Sequence, residues 1–258
     1  MSGPSGPASR RRGAPAARRS SPSRKASPGA AHRHAEPSPD TRTGSDAPEP
    51  PDPQRSPVKA RVGDEALVAQ RRRQIVAAAV ELFSSQGYYR TTVQEIAARA
   101  GISTGLVYQY VEDKDDVLLL AILDVVDAYG REIPAALENV ADPLERFRTA
   151  VRTYCGVVDR LRDATVLAYR STRSLSPSHR KLVQQAELQS NELIAATVRA
   201  CIDAGVFADD VDVEFLTHQA VTFAHSWALK HWRLSPRYTL DEYVERGLAM
   251  FLRASLRV

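Results

Sequence analysis

Two short amphipathic stretches, joined by a turn around Gly101, constrain this chain more than any other feature of its sequence. The first opens on Thr92-Val93-Gln94-Glu95. That is a capping box, in which the threonine hydroxyl caps an amide and the glutamate three residues on reaches back. Val93, Ile96, Ala97 and Ala100 then recur at helical spacing, which gives a short helix one apolar face. Gly101 breaks it, and Ser103 is a good N-cap for a second helix reaching to about Val111. A helix, a tight turn containing glycine and a second helix form the unit that sets its second helix into the major groove of DNA.

The residues of this unit divide by chemistry. Ile96, Ala97, Ile102, Val107 and Val111 are expected to hold the two helices together. Thr104, Gly105, Tyr108, Gln109 and Tyr110 are expected to face away, with side chains suited to phosphates and base edges. Thr92 and Ser103, as caps, border the same face. A glycine inside a helix costs about 1 kcal/mol relative to alanine. Gly105 therefore reads either as a place where DNA approaches the backbone closely or as a tolerated residue near a helix start. Tyr108 can donate to a phosphate or pack half-buried. Lys114 opens the next helix, where an ammonium and helix amides can hold a phosphate together; its other reading is a lysine paired with Glu112 or Asp116.

The rest of the chain from Glu65 onward also reads as helix. Ile75, Ala79, Leu82 and Phe83 form one stripe of a helix from about Leu67 to Ser85, with Arg71, Arg72 and Arg73 near its start and Gly87 as its stop. Asp113 caps a long helix expected to run through Asp127. Asp142-Pro143-Leu144-Glu145, Ser176-Pro177 and Thr239-Leu240-Asp241-Glu242 are further helix starts. The helix opened at Ser176 should run to about Ala204. Val213, Leu216, Ala220, Phe223, Ala224 and Trp227 share one face of another, at about 211–232. The expected fold is all-α: an N-terminal three-helix helix-turn-helix domain at 63–112 and a C-terminal helical bundle at 113–258. Residues 1–62 are rich in Pro, Ser, Ala and Arg and nearly free of large apolar side chains, the composition of a disordered basic tail. The tail's excess of Lys and Arg accounts for the net charge of +4. Its clusters Arg10-Arg11-Arg12 and Arg18-Arg19 can touch DNA phosphates or simply be solvated.

The stretch from about 67 to 125 resembles the DNA-binding domain of the tetracycline-repressor (TetR) family. The resemblance rests on A-x-x-L-F-x-x-x-G-Y within 78–88, T-T-V-x-x-I-A at Thr91–Ala97, A-G-I-S-x-G-x-V-Y-x-Y at Ala100–Tyr110 and D-K-D-D-V-L at Asp113–Leu118. It implies DNA-contact positions at Thr92, Thr104, Gly105, Tyr108, Tyr110 and Lys114. Thr104 stands where the family often has a longer polar or basic residue, and Val111 where it has phenylalanine. The family's plan implies a homodimer, built through the last two helices, whose hold on operator DNA is relieved by a small-molecule effector bound in the C-terminal bundle.

The effector is less legible. Tyr169–Pro177 carries Y-R-x-T-x-S-L-x-P, similar to a segment of acyl-CoA-responsive members. Arg170 and Arg173, beside His179, are candidates to hold an anionic group, or are a solvated helix end. Phe223 and Trp227 are candidate pocket residues, or core. His218 and His225 share a helical face, but no acid or cysteine completes a metal set. Neither a metal nor a cofactor is expected.

Cys155 and Cys201 form no CxxC, and a reducing cytosol is the simplest setting. No apolar run approaches the roughly 18 residues of a membrane span, and the N-terminus lacks a signal peptide's apolar stretch. The tail's Arg, Ser and Ala content also suits a transit peptide, against which stand its prolines and its acids from Glu36 onward. Two other functions fit less of the sequence. A helical enzyme acting on an acyl thioester has no nucleophile–base–acid set and leaves the Thr92–Lys114 constellation unused. An architectural DNA binder driven by the tail has no need of a reading head.

Overall fold

The computed structural model describes residues 57–257. Most of the expected tail, residues 1–56 with its arginine clusters, lies outside them. Ten α-helices follow in order: α1 Glu65–Gln86, α2 Val93–Arg99, α3 Thr104–Val107, α4 Lys114–Leu137, α5 Pro143–Arg160, α6 Arg162–Ser171, α7 Pro177–Asp203, α8 Val213–Leu229, α9 His231–Leu234 and α10 Leu240–Ser255. The all-α expectation holds for the described residues, whose sole β-type pairing is a single bridge between Phe207 and Leu256.

The helix starts are where the sequence puts them, because short polar side chains satisfy amides that a helix leaves free. Thr92 and Thr239 each close a full capping box with Glu95 and Glu242. Asp64, Ser103, Asp113, Asp142, Ser176 and Asp212 each accept from an amide of the following turn. The start of α6 carried no such signal: Leu161 caps it without a side-chain hydrogen bond. Three lengths differ from expectation. The helix expected at about 211–232 is α8, which ends at Leu229 before the short α9. The regular part of α3 ends at Val107, after which Tyr108–Tyr110 continue as a turn. α4 runs to Leu137, ten residues beyond the expected end at Asp127, and contains Pro134. Its apolar positions Ala128, Tyr129, Ile133 and Leu137 keep facing the bundle, so burial holds the helix together past a residue that cannot donate.

Two apolar cores share α4. Its first turns, through Val117, Leu118, Leu119, Ala121 and Ile122, pack with α1–α3 and with Leu167, Leu175 and Val183 from the bundle. Its later turns pack with α5, α7, α8 and α10. One helix thus belongs to both the head and the body.

α8 and α10 meet at Gly247. A Cβ there would lie 2.1 Å from Cζ of Phe223. That ring cannot swing away cheaply, because it stacks on Tyr243 at 4.3 Å and meets Phe251 edge-on at 5.5 Å. Gly247→Ala should therefore destabilise the fold by about 1–3 kcal/mol, the usual range for overpacking. Denaturant unfolding of Gly247→Ala and of Gly247→Ala/Phe223→Leu checks this, since the second change restores space and should recover part of the loss.

Candidate nucleic-acid interface

The head is built from α1–α3 and the start of α4. Val93, Ile96, Ala97, Val107 and Val111 are buried between its helices, and Ile102 is partly buried. Gln74 from α1 donates to the carbonyl of Ala100 at 2.6 Å, tying the turn of the helix-turn-helix to the helix behind it. Gly101 takes φ 68°, a conformation that suits glycine and accounts for its place in the turn.

The exposed face carries polar groups. Tyr108 and Gln109 project at the end of α3, Tyr108 with 40% of its surface free. Thr104 is partly exposed, and Ser103 is exposed with its hydroxyl accepting from the Leu106 amide at 3.2 Å. A Cβ on Gly105 would meet nothing within 4 Å, so the fold itself does not require glycine there. Thr92 is exposed, but its hydroxyl is occupied. It accepts from the Glu95 amide and donates to the Glu95 carboxylate at 2.9 Å. Hydrogen bonds from the Thr92 amide and hydroxyl hold the Glu95 carboxyl below the usual carboxylate range.

Two expected contacts are placed differently. Tyr110 faces inward and is only 2% exposed. The turn after Val107 rotates its ring into the head core, while its carbonyl accepts from Arg72. Lys114 pairs with neither Glu112 nor Asp116. Its ammonium donates to the carbonyls of Tyr88 and Thr91, both at 2.9 Å, and sits 4.4 Å above the Tyr88 ring. It fastens the loop between α1 and α2 to the start of α4, and so sets the position of Thr91 and Thr92. Burial and the nearby Asp115 and Asp113 push the Tyr88 phenol up to about 12.

Sequence reasoning missed three contacts that join head to body. Ser174, after α6, donates to the Tyr89 hydroxyl at 2.9 Å. The Ser176 amide donates to the Asp115 carboxylate at 3.2 Å. His179 Nδ1 lies 2.7 Å from that carboxylate, without the alignment of a hydrogen bond. No single-sequence signal links such distant positions; only the fold brings the α6–α7 corner against the head.

The candidate effector residues do not converge. Arg170 and Arg173 are exposed at the α6–α7 corner. Trp227 is buried, its indole donating to Asp159 at 2.7 Å, and Phe223 belongs to the Tyr243–Phe251 ring cluster. These arginines lie at a helix end, where charge stays hydrated, and the aromatics pack between helices. The polar centre of the bundle is instead His225. Tyr129 and Tyr154 hydroxyls lie 3.4 and 3.2 Å from its Nε2, and the Tyr169 hydroxyl lies 2.9 Å from Nδ1. Burial lowers the imidazole to about 4, so it is neutral at physiological pH. A separate cavity of about 380 Å³ opens between α1, α4 and α6 beside Arg73, Arg160 and Arg162, with Val76, Val80 and Ala164 in its wall. Among the described residues no three acids, cysteines or histidines cluster to hold a metal, and no helix is long and apolar enough to cross a membrane.

Comparison with known proteins decides the family. The model of bacterial regulatory proteins of the tetR family matches residues 75–121, and that of the tetracyclin repressor-like C-terminal domain matches 140–254. The transcriptional regulator HbdR of Aromatoleum sp. (strain CIB) is 50% identical over 199 residues, 77% of this chain and 86% of HbdR. The chain belongs to the TetR family. Its fold is shared with the TetR regulator PfmR from Thermus thermophilus, at TM-score 0.62 and 24% identity over 69% of this chain and 97% of PfmR. The ketosteroid regulator KstR2 of Mycobacterium tuberculosis gives TM-score 0.61 and 19% identity over 77% of this chain and 99% of its own. As a TetR protein the chain is a DNA-binding transcription regulator and not an enzyme. The motifs at Thr91–Ala97 and Ala100–Tyr110 thus fall in the family's reading head.

Proposed function

We propose that the protein is a homodimeric repressor whose operator binding is relieved by a small-molecule effector. The observation that carries this is the outward face of the head. Thr104, Gly105, Tyr108 and Gln109 lie together on the exposed side of a helix-turn-helix whose opposite side is a packed core. That is a surface shaped for a groove. Ser103 and Thr92 contribute as caps at its rim, and Lys114 by holding the loop that presents Thr92.

Dimerisation is supported by exposed apolar side chains on and around α8 and α10, among them Phe215, Met250 and Leu256. Such residues are costly to leave in water and suit a symmetric four-helix interface. The plan of a head at 63–112 and a body at 113–258 is supported in outline by the two cores, but the head core also takes in Val58 and the first turns of α4. Effector control is supported by the α6–α7 corner, which touches the head at Tyr89 and Asp115. The Y-R-x-T-x-S-L-x-P segment lies at that corner and favours an acyl-CoA among anionic effectors, with exposed Arg170 and Arg173 available to its phosphates.

Binding to DNA from the promoters of its own and adjacent genes, measured at several salt concentrations, tests the reading. Tight, sequence-selective binding by a dimer is expected, weakened by an acyl-CoA in the wild type and less in Arg170→Ala/Arg173→Ala. Weak binding that is equal on all sequences would refute the specific regulator. An equal response of both proteins to the thioester would remove the arginines from the effector site.

A further inference from the structure

Residues 57–62, which composition assigns to the tail, are packed against the head. Val58 is buried in the head core with 4% of its surface exposed. Its carbonyl accepts from Nη2 of Arg72 in α1. The same guanidinium donates through Nε and Nη2 to the carbonyl of Tyr110, both at 3.1 Å. Arg72 is itself buried; desolvation lowers its pKa, opposed by Asp116. A buried guanidinium is costly unless its donors are satisfied, and here its Nε and Nη2 donors are satisfied by clamping two chain segments together. A further bond joins them: the Arg61 amide donates to the Gln109 carbonyl at 2.8 Å.

This clamp fixes where the neighbouring side chains go. Burial alternates along the segment: Val58 is buried and Ala60 partly buried, while Lys59 and Arg61 are exposed. Neither Lys59 nor Arg61 has an acidic partner among the described residues. The Arg61 amide is bonded to Gln109 in the turn that follows α3, and Lys59 lies two residues earlier on the same exposed side of the segment. The arm therefore extends the reading face with two positive charges and adds no base-reading group.

We propose that residues 57–62 form a fixed arm whose Lys59 and Arg61 bind the DNA backbone just beyond the bases that α3 reads, with Arg72 as the residue that positions it. This rests on the operator-binding function above. Phosphate contacts of this kind set register and affinity without specifying sequence.

The test is the salt dependence of operator binding by the full-length chain and by Lys59→Ala/Arg61→Ala. A control removes the same charge at Arg148→Ala/Arg199→Ala, on α5 and α7 of the body. The arm variant should lower the slope of log affinity against log salt by about 2 for each protomer bound, near 0.9 for every phosphate no longer neutralised. Its operator preference and thermal midpoint should be unchanged, and its hydroxyl-radical footprint should shorten at one flank of each half-site. The control should keep the wild-type slope. An arm variant with the wild-type slope and footprint overturns the arm, as does a control whose slope falls as much. If the wild type shows no operator preference at all, it is the regulator reading that fails.

Discussion

Gly105→Leu should lower operator affinity by about 100-fold or more while leaving the head folded, with a thermal midpoint equal to or above the wild type's. The two halves of this expectation come from different physics. A leucine gains about 1 kcal/mol of helix propensity over glycine, and the space around a Cβ at this position is empty. Nothing in the folded chain offsets the cost of the glycine. On the proposed docking of α3 in the groove, its value lies in what approaches from outside, since a side chain there would hold the backbone of α3 away from the groove floor and break several interactions at once. Removing two base or phosphate interactions of about 1–3 kcal/mol each accounts for the expected fall. Fluorescence anisotropy with operator DNA, alongside thermal unfolding, separates the halves. Undiminished affinity would show that α3 does not dock closely at Gly105.

The second large effect belongs to His225. Its imidazole is held neutral in the bundle, at about 4 against 6.5 in the open. Folding therefore favours the unprotonated ring, and this stabilisation is complete above the unfolded value of 6.5. It is lost as pH falls from 6.5 to about 4, where the unfolded chain binds a proton that the native chain does not. Each pH unit of that window is worth about 1.4 kcal/mol, so the histidine alone makes the protein less stable at pH 4 than at pH 7 by roughly 3 kcal/mol. The hydroxyls of Tyr129, Tyr154 and Tyr169 remain protonated throughout and add nothing to the slope. Glu187, raised by burial, and Asp127, likewise raised by burial, act in the opposite sense. His225→Gln isolates the histidine's share. Its urea midpoint should fall less steeply between pH 6.5 and 4.5 than the wild type's, and parallel profiles would show that His225 does not sense the change.

The sequence was most informative where a single residue decides a local structure. Thr92, Ser103, Asp113, Asp142, Ser176 and Thr239 marked their helices because an amide at a helix start needs an acceptor, and that need is met within three residues. Sequence also separated Ile96, Ala97, Val107 and Val111 from Thr104, Gly105, Tyr108 and Gln109, because helical period sorts the two faces. It misplaced Tyr110, since the helical period stops applying once α3 becomes a turn at Tyr108. Val58 and Arg72 were illegible for another reason. One apolar residue in a proline-rich stretch and one arginine among three carry no local mark of their pairing, which only the fold creates. The same holds for His225, whose tyrosines come from three other helices.

The continuity of α4 has a mechanical consequence. At 1.5 Å per residue, its 24 residues make a rod about 36 Å long, which is close to the rise of one turn of DNA. Lys114 grips the head at one end, and Pro134 lies near the other, where a missing backbone bond makes bending cheapest. A rod of that length, tilted by about 5°, carries its tip about 3 Å. If an effector acts as proposed, the head need not deform to change its fit to DNA: a small tilt of α4 about its Pro134 end would shift the reading face by an amount comparable to a groove contact.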